Sequence, residues 1–291
     1  MSLGFLAPTV VVAERLTIAT YNVENYVSTD RMTEAGYRPD YPKPEVQKQA
    51  LRTVIRRLDS DVLVLQEMGN QSYLDELCRD LKRDGLSYPH AQLLSGPDQD
   101  RHVAILSKRE FTSVKSHTAV EFPYFGAKEK VKRGLLEVSL PTSSGELTLF
   151  AVHLKSRFSD RADDPQSALR RLGEAMAIRD AVLTRFPDPS RANFLILGDF
   201  NDDKSSKTLK RLQQRGQVRI ARLLSVADGR GERWTHAYRK VDNYTRVDHI
   251  LISEPLFAAV RNQVGRIEDG PGVLEASDHR PVVVEFEFPD T

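Results

Sequence analysis

At six places along the 291-residue chain an apolar run gives way to an acid, an amide or an imidazole. The groups are Asn22 with Glu24, Glu67, His153, Asp199 with Asn201, Asp248 with His249, and Asp278 with His279. Oxygen-rich donors without a cysteine cluster suit a hard cation such as Mg2+, Mn2+ or Ca2+ rather than a structural zinc. A hard cation beside imidazoles suits phosphoryl chemistry, in which metal and hydrogen-bond donors offset the charge building on non-bridging oxygens. Groups so far apart in sequence meet only if several strand ends converge on one rim of a rigid scaffold.

The elements that must bring them together are legible as periodicities. Residues 16–21 alternate at period two and break at Asn22, which predicts a strand. Residues 62–65 form a continuous apolar run ending at Gln66 and Glu67, and residues 193–197 run into Gly198-Asp199-Phe200-Asn201. Residues 134–140 and 147–154, joined by Pro141-Thr142-Ser143-Ser144-Gly145-Glu146, read as an antiparallel hairpin whose second strand carries His153. Further strands are predicted over 103–106, 234–238, 247–252 and 282–288. Apolar stripes at helical spacing are Val46, Ala50, Val54, Leu58; then Leu74, Leu77, Leu81; then Leu169, Leu172, Met176, Leu183, Phe186, with Met176 read as core filler. Residues 26–44, polar and rich in Tyr and Pro, read as a surface loop. Helices alternate with strands early and hairpins dominate later. The expected class is therefore α+β, with two mixed sheets stacked face to face and helices outside.

Lys and Arg number 42 against 41 Asp and Glu, so a net charge of +1 provides no global field for a polyanion and phosphate binding must be a local patch. Cys78 stands alone, which excludes an internal disulfide and a cysteine-rich zinc site. Residues 4–13 end in Val11-Val12-Ala13 and read equally as the truncated end of an export signal, implying a secreted or periplasmic protein, or as an N-terminal strand or tail. The division expected is 1–14 as signal remnant or tag and 15–291 as a single domain. No run approaches the ~20 apolar residues of a membrane span. Nothing in the sequence points to an obligate protein partner, and a monomer is expected.

Together the motifs resemble a family. Thr20-Tyr21-Asn22-Val23-Glu24-Asn25, Leu65-Gln66-Glu67, Ala151-Val152-His153-Leu154-Lys155, Leu197-Gly198-Asp199-Phe200-Asn201, Arg246-Val247-Asp248-His249-Ile250-Leu251 and Ser277-Asp278-His279-Arg280-Pro281 are similar, in order, to the successive motifs of the endonuclease/exonuclease/phosphatase superfamily. The resemblance implies a DNase I-like four-layer α/β/β/α sandwich, its two sheets mixed and mainly antiparallel, and a divalent-metal-dependent hydrolase of phosphate esters. It implies Glu67 as main metal ligand with Asn22 and Glu24 nearby and Asp278 approaching the metal. Asp199 would orient or deprotonate the attacking water, Asn201 would hold that water or a phosphate oxygen, and His279 would contact the phosphate with its tautomer fixed by Asp248. His153 matches members that carry histidine rather than tyrosine there.

Outside the motifs, Arg133, Lys155 and Arg157 flank the His153 hairpin and are candidates for phosphate contact, against a plain reading as a solvated basic face. His249 follows Asp248 within a strand and should point to the opposite face. Trp234 and Tyr238 read as core and hairpin packing. Three functions are in play: a nuclease whose groove is formed by residues 26–44 and 158–165, a hydrolase of a small ester such as an inositol phosphate or phospholipid head group, and a catalytically dead binding module. The intact Glu67, Asp199, Asn201, Asp248 and His279 set speaks against the last.

Overall fold

Period-two alternation in the most apolar strands decides the architecture. In the first strand, Glu14–Tyr26, Leu16 and Ile18 face one way while Ala19 and Tyr21 face the other, and all are fully buried. Val62–Met68 repeats the pattern, with Val62 and Val64 on one side and Leu63 and Leu65 on the other. A strand buried on both faces needs cover on both.

The computed structural model describes residues 13–33 and 35–288, and the apolar run read as an export signal lies, Ala13 apart, outside them. Among the described residues one large sheet has seven strands in the order Val226–Ala227, Gly265–Ile267, Val282–Phe288, Glu14–Tyr26, Val62–Met68, His102–Ser107, His90–Leu94. The other has six, in the order Arg222–Leu223, Asp248–Ile252, Phe194–Asp199, Gly145–His153, Leu135–Thr142, Ser113–His117. Glu14–Tyr26 pairs in parallel with Val62–Met68, and Gly145–His153 with Phe194–Asp199, while most other neighbours are antiparallel. Between the sheets lies a core drawn from both, including Ile18, Val64, Ile105, Leu149, Leu197 and Ile250. The outer face of the first sheet is covered by helices Glu45–Leu58 and Gln71–Arg83, and that of the second by Ala168–Arg185 and Lys207–Gln213. This is the expected four-layer α/β/β/α sandwich. No helix of the described residues is long and apolar enough to cross a membrane.

Three local expectations are corrected. Residues 26–44 are not a plain loop, because Thr29–Thr33 and Gly36–Tyr41 pair as an antiparallel hairpin. Both of its faces meet solvent, so no alternation of apolar residues marks it. Helix Glu45–Leu58 buries Leu51, Val54, Ile55 and Leu58 and leaves Val46 exposed. In helix Ala168–Arg185, Leu169 and Met176 are 52% and 38% exposed, and the buried side carries Arg171, Glu174, Ala175, Ile178 and Val182. Glu174 explains the rotation: its carboxylate accepts the backbone N–H of Lys132 at 3.1 Å and of Lys155 at 2.7 Å, so a charged residue must face inward.

Gly198 sits where the two parallel strands of the second sheet come closest, opposite Val152 and one residue before Asp199. Its φ is +144°, and a Cβ there would lie 1.9 Å from the Val152 carbonyl oxygen. Gly198→Ala is expected to cost about 3 kcal/mol or more in urea unfolding, because backbone rather than a flexible side chain must give way. A loss below about 1 kcal/mol would mean that the strands part freely at this point.

Candidate active site

The inter-sheet stripe turns polar at one rim. In Gly145–His153 the inward residues Leu147, Leu149 and Ala151 are followed by His153, and in Phe194–Asp199 the inward residues Leu195 and Leu197 are followed by Asp199. Asp248 precedes the inward Ile250 and Ile252 in the third strand. Register places His153 beside Asp199, and Asp199 beside Asp248, on adjacent strands. From the first sheet the same alternation sends Asn22 across the gap, and its amide nitrogen donates to Asp199 Oδ2 at 3.1 Å.

Glu67 reaches this rim by a different route. Regular alternation would send it toward the helices with Leu63 and Leu65. Instead the pairing of Glu14–Tyr26 with Val62–Met68 slips between Asn22 and Tyr26, and Glu24, Asn25 and Glu67 adopt left-handed φ values of +47°, +52° and +63°. Such irregularities re-aim side chains, and left-handed non-glycine residues cost on the order of 1–3 kcal/mol each unless neighbours enforce them. Here the neighbours are cations. Lys43 donates to the Glu24 carbonyl at 3.0 Å, Arg101 to the Asn25 side-chain oxygen at 2.7 Å, and Arg31 to the Val27 carbonyl at 2.9 Å. The bend in turn offers the Asn25 N–H to Glu67 Oε2 at 2.9 Å. Asn201, at φ +51°, donates its backbone N–H to Asp199 Oδ1 at 2.8 Å and its amide to the Leu154 carbonyl at 3.0 Å.

Glu24, Asn25, Glu67, Arg157, Phe158, Asp199, Asn201, His236, Asp278 and His279 line one cavity of about 580 Å³. The His279 Nδ1–H donates to Asp248 Oδ2 at 2.8 Å, and its Nε2 lies 3.9 Å from Asp199 Oδ2 and 4.0 Å from Asp278 Oδ1. His153 Nε2 is 3.6 Å from Asp199 and 4.0 Å from Glu67. The two imidazoles differ in charge. Burial depresses the His153 value well below the ordinary one, and nearby Arg133 adds to the effect. Burial also opposes the His279 imidazolium, yet the Asp248 carboxylate and its hydrogen bond more than reverse this and raise the value well above the ordinary one. Burial and the Asp248 charge push Asp199 up to about 7. Burial, Asp278 and, further down, Glu67 raise Glu24. Glu67, Glu24 and Asp278 line the cavity together and offer the kind of oxygen donor that a hard divalent cation would take.

The remaining expected residues are placed less simply. Asn22 turns its Oδ1 to its own chain, accepting the Glu24 N–H at 3.0 Å, and thus bridges the sheets rather than lining the cavity. Arg133 is buried against Asp98 at 3.1 Å, and Lys155 Nζ bonds the Ser156 side chain at 3.2 Å and the Phe158 carbonyl, so neither lines the cavity. Arg157 does line it, paired with Asp203 at 3.1 Å. His249 faces away, against Phe200 and the Asp202 carbonyl. Trp234 packs on Tyr244 beneath Arg280, whereas Tyr238 lines the cavity half-exposed. His236 and Lys43 also belong to the site's surroundings and lie outside the motifs. Lys43 carried one signal, its position between Pro42 and Pro44; His236 carried none.

Stacked sheets whose shared core ends in clustered carboxylates, amide and imidazoles define a divalent-metal-dependent phosphoesterase. The chain belongs to the endonuclease/exonuclease/phosphatase family, whose family model matches residues 19–279. Among solved structures it is similar to a Staphylococcus aureus beta toxin (17% identity, TM-score 0.65, 92% of this chain and 99% of that one). It is also similar to the catalytic domain of human Nocturnin with bound sulfate (16%, 0.65, 94% and 95%) and to sphingomyelinase C of Streptomyces griseocarneus (16%, 0.60, 94% and 100%). At these identities the shared property is the fold. No curated protein sequence matches the chain.

A carboxyl held at about 7 against an ordinary 3.8 binds its proton more tightly when folded. The metal-free protein should therefore be most stable at the acid end of that window and lose stability as pH rises toward 7. Denaturation in chelator across the window should show this slope, Asp199→Asn should flatten it, and Mg2+ should restore stability most at the neutral end. An unchanged slope in the variant would remove Asp199 from the account.

Proposed function

We propose that the enzyme is a nuclease, cleaving nucleic-acid phosphodiesters by attack of water with residues 15–291 acting as one catalytic unit. What carries this choice is the shape beside the site. The 580 Å³ cavity shares Glu24 and Asn25 with a neighbouring cavity of about 850 Å³ lined by Arg31, Tyr41 and Arg101. It shares Glu24, Tyr238 and Asp278 with another of about 450 Å³ that adds Arg239 and Lys240. These two neighbours also share Val46 and Gln47, so the room and the cations continue from the site as one extended surface, which suits a chain that runs on beyond the bond it presents better than an ester that ends there.

In this reading Glu67, with Glu24 and Asp278, would hold the cation, which when bound would supply Lewis-acid charge to offset negative charge building at phosphorus. Asp199 takes the proton of the attacking water, a role that suits a carboxyl raised to about 7. Asn201 and Asn22 fix the Asp199 oxygens from two directions, at 2.8 Å and 3.1 Å, so the base cannot swing away. His279, kept as imidazolium by Asp248, donates through Nε2 to a phosphate oxygen. Neutral His153 holds the wall between Asp199 and Glu67 without adding charge. Arg157 and the exposed Phe158 border the entrance and would meet the substrate beyond the scissile group.

A net charge of +1 favours the other reading, a small phosphate ester, since it leaves little long-range attraction for duplex DNA. A substrate panel with Mg2+, Mn2+ and Ca2+ separates them: plasmid, single-stranded DNA, abasic duplex, RNA, inositol phosphates, sphingomyelin and bis-p-nitrophenyl phosphate. Cleavage of a nucleic acid is expected; turnover of one small ester with every nucleic acid untouched would reverse the assignment. Asp199→Asn and His279→Ala should each lower turnover at least about 100-fold while melting as folded proteins. EDTA should silence the enzyme, and added Mg2+ or Mn2+ should restore it; activity undiminished in chelator would take the metal out of the reaction.

A further inference from the structure

The same cavity holds a second group of donors with different chemistry, which shares Asp278 with the first. His236 Nε2 is 3.6 Å from Asp278 Oδ2, and His279 Nε2 is 4.0 Å from Asp278 Oδ1. One ligand atom from each of the three residues lies within 4.8 Å of the others. Tetrahedral zinc ligands at about 2.0–2.1 Å from the ion stand roughly 3.4 Å apart, so side-chain rotations of about an ångström would close the set. Two imidazoles and a carboxylate with an open fourth position form a zinc-type donor set, and magnesium, which favours oxygen and retained water, matches it poorly.

The group is held ready by its backbone. His236 bridges to His279, the Ala237 N–H donates to the Asp278 carbonyl at 2.9 Å, and the Arg280 N–H donates to the Thr235 carbonyl at 2.6 Å. The imidazole rings lie 4.6 Å apart between centroids. Asp248 grips His279 through Nδ1 at 2.8 Å, so Nε2 is the nitrogen that faces the cavity. A carboxylate behind a histidine that presents its other nitrogen is the usual support of a metal-bound imidazole.

We propose that His236, Asp278 and His279 form a second cation site, selective for nitrogen-favouring transition ions and zinc above all, whose occupation inhibits the enzyme. Zinc bound there displaces the Nε2 proton of His279 to solvent, takes that nitrogen away from the substrate phosphate and draws Asp278 from the hard-cation side of the cavity. The inhibitory half rests on the role given to His279 above; the binding half does not.

Zinc titration of the full chain by calorimetry, with Mg2+ saturating, tests the binding half. Wild type should bind zinc, and His236→Gln and Asp278→Asn should each bind it at least about tenfold more weakly, both variants first being checked as folded by circular dichroism and melting. Absence of zinc binding in wild type, or wild-type affinity in either variant, overturns the site. Hydrolysis of bis-p-nitrophenyl phosphate at fixed Mg2+ tests the second half: zinc should inhibit wild type, and His236→Gln should need at least about tenfold more zinc for half-inhibition. Stimulation by zinc, or equal sensitivity of the variant, overturns the inhibitory role. A wild type that hydrolyses no phosphodiester refutes the proposed function and leaves the calorimetric result to stand alone.

Discussion

Five carboxylates, Glu24, Glu67, Asp199, Asp248 and Asp278, gather where an apolar inter-sheet core meets one rim, and the rest of the structure accommodates that crowding. Burying a charge is costly unless a partner offsets it, and like charges raise one another further. The protein supplies some relief itself, through the His279 imidazolium on Asp248, Lys43 near Glu24 at 3.8 Å, and Arg101 on Asn25. Glu24 and Asp199 nevertheless stay raised. A divalent cation would complete the balance, in keeping with the metal dependence of the family to which the chain belongs.

That balance requires geometry which regular strands do not provide. Four non-glycine residues of the site, Glu24, Asn25, Glu67 and Asn201, have left-handed backbone, and all lie where strands end or slip. Strain of this kind persists only when surroundings over-determine it. Lys43 and Arg101 therefore serve two purposes, holding the bend at Glu24 and Asn25 and placing positive charge behind the acids. Burial brings Lys43 down to about 8, so its charge too depends on the carboxylates it serves. Asn22 ties the arrangement together, its nitrogen on Asp199 of the facing sheet and its oxygen on the Glu24 N–H.

What could be read from the residues alone follows the same division. Strands buried on both faces announce themselves as apolar runs, so the run ends at Asn22, Asp199 and Asp248, and the four-layer arrangement they imply, were legible. Glu67 could be marked as a strand-end acid, but the slip that turns it into the cavity leaves no mark in periodicity. The Thr29–Thr33 and Gly36–Tyr41 hairpin was illegible because both its faces are solvated. Helix Ala168–Arg185 misled for a more specific reason: its inward residue is Glu174, recruited by two backbone N–H groups of distant loops, and a stripe of Leu and Met says nothing of that demand. Arg133 and Lys155 attracted notice as cations near His153, and contacts invisible in sequence commit both to the protein's own groups.

The paired histidines show why residue type alone could not assign roles at this site. His153 and His279 are both buried, and each lies within 4 Å of Asp199. Burial opposes the charged ring in both cases, so the difference has to come from neighbours. His279 has Asp248 at hydrogen-bond distance and keeps its proton; His153 is overlooked by Arg133 and Arg101, and its Nδ1 is buried without a hydrogen-bond partner. Exchanging those surroundings would exchange the charges and, in the proposed reaction, would set a cation against Glu67 and remove one from the phosphate. The strand register sets His153 beside Asp199 and Asp199 beside Asp248, and the Asp248 hydrogen bond then keeps the charge on His279.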